Sequence, residues 1–235
     1  MGSLSGGVAA RRPRFLCLHG FRTSGEIMRK QVVGKWPAEV TARLDLVFPD
    51  APFPAEGKSD VEGIFGPPYY EWFQCNKGYT EYRNLDICFD YVEELMIREG
   101  PFDGLMGFSR GSVLSAALVG LQQQGLALTR VPKIKFLVII SGARFRGLQA
   151  VAEKPYANKI NIPSLHFLGD TDFLKNDGEK LIESFVDPFI IRHPKGHTVP
   201  RLIDGKSLEV MSCFLDKMER EISGHSSTEP DVRTR

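Results

Sequence analysis

One pentapeptide, Gly107-Phe108-Ser109-Arg110-Gly111, constrains this chain more than any other feature. Before it stands Phe102-Asp103-Gly104-Leu105-Met106, a short apolar run of strand length. After it comes Ser112-Val113-Leu114-Ser115-Ala116-Ala117-Leu118-Val119, small and apolar, which reads as a helix continuing to about Gln124-Gly125. A sharp strand-to-helix turn holds its central serine in a strained backbone conformation. Gly107 and Gly111 remove the side chains that would clash in so tight a corner. The turn lifts the hydroxyl clear of a sheet. It also sets the serine at a helix N-terminus, where free N–H groups favour developing negative charge. The five residues alone are a common pattern, and it is the strand before and the helix after that make Ser109 a candidate nucleophile. A serine hydroxyl attacks poorly at neutral pH. The rest of the chain must therefore supply a base, an acid to orient it and donors for an oxyanion.

The surrounding elements alternate between strand and helix. Phe15-Leu16-Cys17-Leu18 reads as a buried strand, Gly25 to Leu44 as helix broken near Pro37, and Leu46-Val47-Phe48 as a second strand. Leu85, Cys88, Phe89, Val92, Leu95 and Met96 recur at helical spacing up to Gly100-Pro101. Ile134–Ser141, Ser164–Leu168 and Phe189–Arg192 are further apolar strands, with helices expected near Asp177–Val186 and from Lys206 to Ser223. Strands that are apolar throughout and separated by helices imply an α/β fold, with a mostly parallel sheet covered on both faces. The expected organisation is one folded unit over 14–223, without a large separate cap domain, between a polar lead 1–13 and a polar tail 224–235 that lack structure.

Sites on open parallel sheets lie beyond the carboxyl ends of the strands. Gly169-Asp170-Thr171-Asp172 follows one strand and His193-Pro194-Lys195-Gly196-His197 follows the next. The chain order Ser, Asp, His is that of α/β-hydrolases. Of five histidines, His166 falls mid-strand, His225 in the tail and His19 at the end of the first strand. His193 and His197 remain as bases, and His197 is preferred because it lies in a loop free to swing over Ser109. Asp170, Asp172 and Asp177 compete as the acid. Asp172 is preferred, being far enough past the strand end to turn toward a histidine, where it would fix the imidazole tautomer. The oxyanion donors expected are the backbone N–H groups of Arg110 and of Phe21, in the loop after the first strand.

The segment Asp50–Arg83 is too long for an ordinary connection, yet it holds Phe53, Phe65, Tyr69, Tyr70, Trp72, Phe73, Tyr79 and Tyr82. It is expected to fold over the sheet edge and wall an apolar pocket, with Tyr69, Trp72 and Phe73 as lining residues, unless these aromatics only pin the loop. A formal charge of +1 gives no electrostatic reason for a nucleic-acid or anionic-membrane partner. The four cysteines, Cys17, Cys75, Cys88 and Cys213, are far apart without C-x-x-C spacing and read as buried free thiols. No stretch resembles a membrane span or signal peptide, and Met1-Gly2-Ser3-Leu4-Ser5-Gly6 misses a myristoylation signal at Gly6.

With these residues assembled, the chain resembles the FSH family of serine hydrolases. The resemblance covers roughly Arg14 to Lys217. It rests on Leu18-His19-Gly20-Phe21, Gly107-Phe108-Ser109, Gly169-Asp170-Thr171-Asp172 and Gly196-His197-Thr198-Val199-Pro200. The segment Gly63-Ile64-Phe65-Gly66-Pro67-Pro68-Tyr69-Tyr70-Glu71-Trp72-Phe73 looks like the plant branch. The resemblance implies an α/β-hydrolase fold, a triad of Ser109, Asp172 and His197, and no metal or organic cofactor. It further implies esterase or thioesterase activity on small-molecule esters or thioesters of apolar acyl groups and a cytoplasmic location that extends to the nucleus. Arg110 and Ser112 depart from the family, which usually carries Gln after the serine and a small Ala or Gly two residues later. A rival role is a small-molecule receptor that keeps the triad but turns over slowly or not at all.

Overall fold

The computed structural model describes residues 11–147 and 153–224. The polar lead and tail therefore fall almost wholly outside the described residues, as does His225. Strand β1 (Arg14–Leu18) is followed by helix α1 (Gly25–Val33), a single turn α2 (Ala38–Thr41) and β2 (Asp45–Val47). The helix over Gly25–Leu44 is thus broken near Pro37, as expected: Pro37 precedes Ala38 and cannot donate to a preceding turn. Helix α3 (Leu85–Glu99), strand β7 (Gly104–Phe108) and helix α4 (Arg110–Gln123) carry the serine turn. Strand β8 (Phe136–Ile140), strand β9 (Ser164–Gly169), helix α5 (Lys175–Ile182), strand β10 (Phe189–His193) and helix α6 (Gly205–Ile222) complete the framework.

Six of these strands form one sheet in the order β10-β9-β8-β7-β1-β2, and every pairing in it is parallel. Two apolar cores flank it. Leu16, Leu18, Leu105, Leu137 and Ile139 face α3, α4 and α5. Phe15, Cys17, Met106, Phe136, Val138 and Phe167 face α1, α2 and α6. Alternate residues of one strand thus enter opposite cores, which is why the strands read as unbroken apolar runs. Phe15, Phe136 and Phe167 are fully buried, each contributing about 1.5–3 kcal/mol over exposure. The strand before Ser109 begins two residues later than its apolar run. Asp103 is drawn out to accept from the Arg11 guanidinium at 2.6 and 2.7 Å and from the Arg14 N–H at 2.9 Å.

Over the carboxyl edge of the sheet lie loops and short ribbons, with no separate cap domain among the described residues. Most of them come from Asp50–Arg83, which contains two antiparallel ribbons. β3 (Phe53–Pro54) pairs with β4 (Tyr70–Glu71), and β5 (Gln74–Cys75) with β6 (Tyr82–Arg83). The segment is fastened to the end of β1. The Trp72 indole donates to the His19 carbonyl at 2.9 Å, the Ala51 N–H donates to His19 Nε2 at 3.0 Å, and Arg22 pairs with the buried Glu71 at 2.6 Å.

Candidate active site

The turn after β7 is as tight as its glycines require. Ser109 has φ 53° and ψ −117°, a region that costs a non-glycine residue strain. A side chain at Gly111 would put its Cβ 1.9 Å from the Leu18 carbonyl oxygen, and one at Gly107 would lie 2.4 Å from the Gly111 backbone. Ser112, an expected departure from the family, is buried beneath the turn. Its hydroxyl donates to the Gly107 carbonyl at 2.6 Å and accepts from the Ile140 N–H at 3.0 Å. The extra hydroxyl therefore ties the turn to β8 and leaves the site untouched.

Ser109, His197 and Asp172 are brought together across three loops. Ser109 Oγ lies 2.8 Å from His197 Nε2, and His197 Nδ1 lies 3.0 and 3.1 Å from the two Asp172 oxygens. Asp172 Oδ1 also accepts the Leu174 N–H at 2.8 Å, so the buried carboxylate is held in place from its own loop. This geometry suits a neutral imidazole with its proton on Nδ1 and the serine hydroxyl donating to Nε2. Phe108 and Phe173 bracket the ring, at centroid distances of 5.2 and 4.4 Å. Lys35 fastens the loop beyond it, its ammonium donating to Thr198 Oγ1 and to the Val199 carbonyl, both at 2.8 Å.

The competing acids are otherwise engaged. Asp170 faces Lys175 at 3.4 Å, and Asp177 pairs with Arg146 at 2.6 Å. His193 is buried on β10 with neither ring nitrogen hydrogen-bonded among the described residues, and burial lowers its pKa. Burial holds His166 neutral with a pKa of about 3 and His19 with a pKa of about 4. Arg110 is the first residue of α4, so its N–H has no acceptor within the helix. Arg110 and Phe21 line the same cavity as Ser109.

The cavity holds about 440 Å³ and is lined mainly by apolar and aromatic side chains. Phe73 lines it as expected, but Tyr69 and Trp72 do not. Trp72 is fully buried beneath the loop, where its bond to the His19 carbonyl keeps it. The Tyr69 hydroxyl turns back to donate to the Phe65 carbonyl at 2.5 Å. Their places are taken by Tyr79 and Tyr82, from the same loop, and by Phe145 and Phe173, from the loops after β8 and β9. Phe173 carried one sequence signal, a large apolar residue directly after the candidate acid. Arg110 turns into the cavity, its guanidinium 4.2 Å from the Phe21 ring centroid and 5.0 Å from that of Phe73. It donates to the Phe73 carbonyl at 3.0 Å.

Among the described residues, no group of three or more His, Cys, Asp or Glu side chains could hold a metal ion, and no helix is long and apolar enough to cross a membrane. All four cysteines are free. Cys17 and Cys88 are buried as expected, whereas Cys75 is half-buried and Cys213 is exposed on α6, where the helix turns its polar side outward.

Residues 9–207 match the protein family described as "Serine hydrolase (FSH1)". The chain is 31% identical over 229 residues to "Esterase OVCA2" of Xenopus tropicalis, covering 90% of this chain and 96% of that protein. Among solved structures it is similar to SOBER1 of Arabidopsis thaliana, with TM-score 0.56 and 20% identity over 88% of this chain and 99% of that one. It is likewise similar to acyl-protein thioesterase 2 of Zea mays, with TM-score 0.57 and 16% identity over 92% and 95% of the two chains. These structural likenesses establish the α/β-hydrolase fold.

Proposed function

The chain belongs to the FSH1 family of serine hydrolases, and from that premise we propose that it hydrolyses carboxylic esters or thioesters of apolar acyl groups through a Ser109–His197–Asp172 triad. The observation that carries this is the continuous hydrogen-bonded chain from Asp172 through His197 to Ser109 Oγ, opening into an aromatic-walled cavity. In the first step Ser109 Oγ attacks the acyl carbonyl carbon while His197 Nε2 takes the hydroxyl proton. Asp172 holds the imidazole tautomer and stabilises the imidazolium. The negative oxygen is met by the N–H groups of Phe21 and Arg110. Collapse breaks the bond to the leaving alcohol or thiol, which receives the proton from His197 and leaves an acyl ester on Ser109. Water then attacks with His197 as base, and the acid and free serine are regenerated. The esterase name of the Xenopus relative and the thioesterase name of the maize neighbour are in keeping with either leaving group.

A fluorophosphonate probe tests the nucleophile. The wild-type chain should be labelled covalently, and Ser109→Ala should abolish the labelling. Labelling that persists in the variant would place the nucleophile elsewhere. Ligand-dependent binding of a partner by a chain that is labelled yet turns over no ester would favour the receptor role instead.

A further inference from the structure

The cavity is apolar in its walls but not in its charge. Three arginines, Arg110, Arg144 and Arg146, line it together with one acidic residue, Asp60. Arg146 is answered by Asp177 at 2.6 Å on the exposed side. For Arg110 and Arg144, no carboxylate lies at ion-pair distance among the described residues. Arg110 spends two of its five N–H donors on the Phe73 carbonyl and Cys75 Sγ, at 3.0 and 3.5 Å, and is clamped between two aromatic rings. The remaining donors have no partner among the described residues.

Arg144 is the sharper case. It is the third residue past Ser141, in the loop that follows β8, beside the strand that carries Ser109. Its Nε is buried and has no hydrogen-bond partner among the described residues, and its guanidinium lies 5.4 Å from the centroid of the Tyr156 ring. The Nε is covered by protein, but Arg144 is only half-buried and lines the cavity, and its terminal guanidinium nitrogens make no hydrogen bond or ion pair among the described residues. A planar guanidinium offers paired donors that match a carboxylate or phosphate edge.

We propose that Arg144 and Arg110 form an oxyanion-binding subsite within the acyl cavity, so that the preferred substrate carries a carboxylate or phosphate group as well as the scissile ester or thioester. The aromatic walls take the apolar stem and the two guanidinium groups take its anionic end, while Asp60, the one carboxylate lining the same cavity among the described residues, is outnumbered by the three arginines. This inference rests on the hydrolase reading of Ser109 and deepens it.

The test uses two matched pairs of substrates and the ratio of kcat/KM within each pair. The first pair is the 4-nitrophenyl ester of glutarate with a free carboxylate against its methyl-capped neutral twin. The second is the 4-nitrophenyl ester of 4-(phosphonooxy)butanoate against its dimethyl phosphate twin. Because both members are measured on one preparation, the ratio does not depend on how much of a variant is folded. We expect one charged member to exceed its neutral twin by about tenfold or more, with the ratio falling as salt is raised. Arg144→Gln and Arg110→Gln should each bring that ratio toward one. A preference in the first pair identifies a carboxylate, and in the second a phosphate. Ratios of one or less in both pairs, with the neutral esters turned over, overturn the subsite and leave the hydrolase intact. A charged preference that survives both variants overturns the assignment to these arginines. Absence of both turnover and fluorophosphonate labelling overturns the hydrolase reading, and the subsite with it.

Discussion

Lowering the pH should loosen the chain through His19, the residue that fastens the aromatic loop to the end of β1. Burial, the dominant cause, lowers its pKa from 6.5 to about 4. The hydrogen bonds agree. Nε2 accepts the Ala51 N–H at 3.0 Å, while Nδ1–H faces the Gly20 carbonyl at 2.8 Å and Thr23 Oγ1 at 3.1 Å. A proton on Nε2 would confront the Ala51 N–H with a second donor. The folded pKa lies below the unfolded one, so the unfolded chain takes up a proton first as the pH falls. The stability due to neutral His19 is complete above the unfolded value of 6.5 and is lost as the pH drops toward about 4. By about pH 5 the loss from this one group is about 2 kcal/mol. Urea unfolding at about pH 7.5 and about pH 5 gives the drop for the wild type and for His19→Gln. His166 and His193, whose pKa values burial also lowers, contribute to both drops and cancel in the comparison. The wild-type drop should exceed that of the variant by about 2 kcal/mol. Equal drops would refute the reasoning, since a neutral buried His19 cannot be removed without flattening the pH dependence.

Trp72 and Phe73 are adjacent but should behave oppositely. Trp72→Ala should cost about 3–5 kcal/mol in denaturant unfolding, whereas Phe73→Ala should shift the dependence of kcat/KM on acyl length. A changed length profile in Trp72→Ala with unchanged stability would contradict this assignment. Lys35→Met should lower kcat by about tenfold with little change in KM, because the ammonium positions the loop that carries His197 and touches no substrate. Wild-type kcat in that variant would show the clamp to be dispensable. Ser112→Ala should lower stability by about 1–3 kcal/mol, because it leaves the Ile140 N–H without its acceptor, while fluorophosphonate labelling of Ser109 persists. Loss of labelling in a folded Ser112→Ala protein would mean that the hydroxyl acts in the site.

The framework and the three converging residues were legible because each rests on local rules. Parallel strands buried on both faces are continuous apolar runs, and Ser109 is marked by the two glycines that its turn demands. Asp172 and His197 follow strand ends, where α/β sites gather. The cavity walls were less legible, because long-range contacts decide them. Trp72 and Phe73 read alike in sequence. The first turns inward because the His19 carbonyl, 53 residues earlier, accepts its indole N–H. Arg110 turns into the cavity because the Phe73 carbonyl, 37 residues before it, lies within its reach. The ribbons within Asp50–Arg83 have strands of two residues each, too short to show any period.

The central claim is that His197, oriented by Asp172, is the base for Ser109. It is tested most directly by kcat/KM for a simple 4-nitrophenyl ester in His197→Ala set beside His193→Ala. The two histidines lie four residues apart, yet only His197 reaches Ser109 Oγ, at 2.8 Å. His197→Ala should lose about a thousandfold or more, as expected when one member of a triad is removed, and His193→Ala should stay within about tenfold of the wild type. Near-normal turnover in His197→Ala, or an equal collapse in a folded His193→Ala protein, would contradict the account.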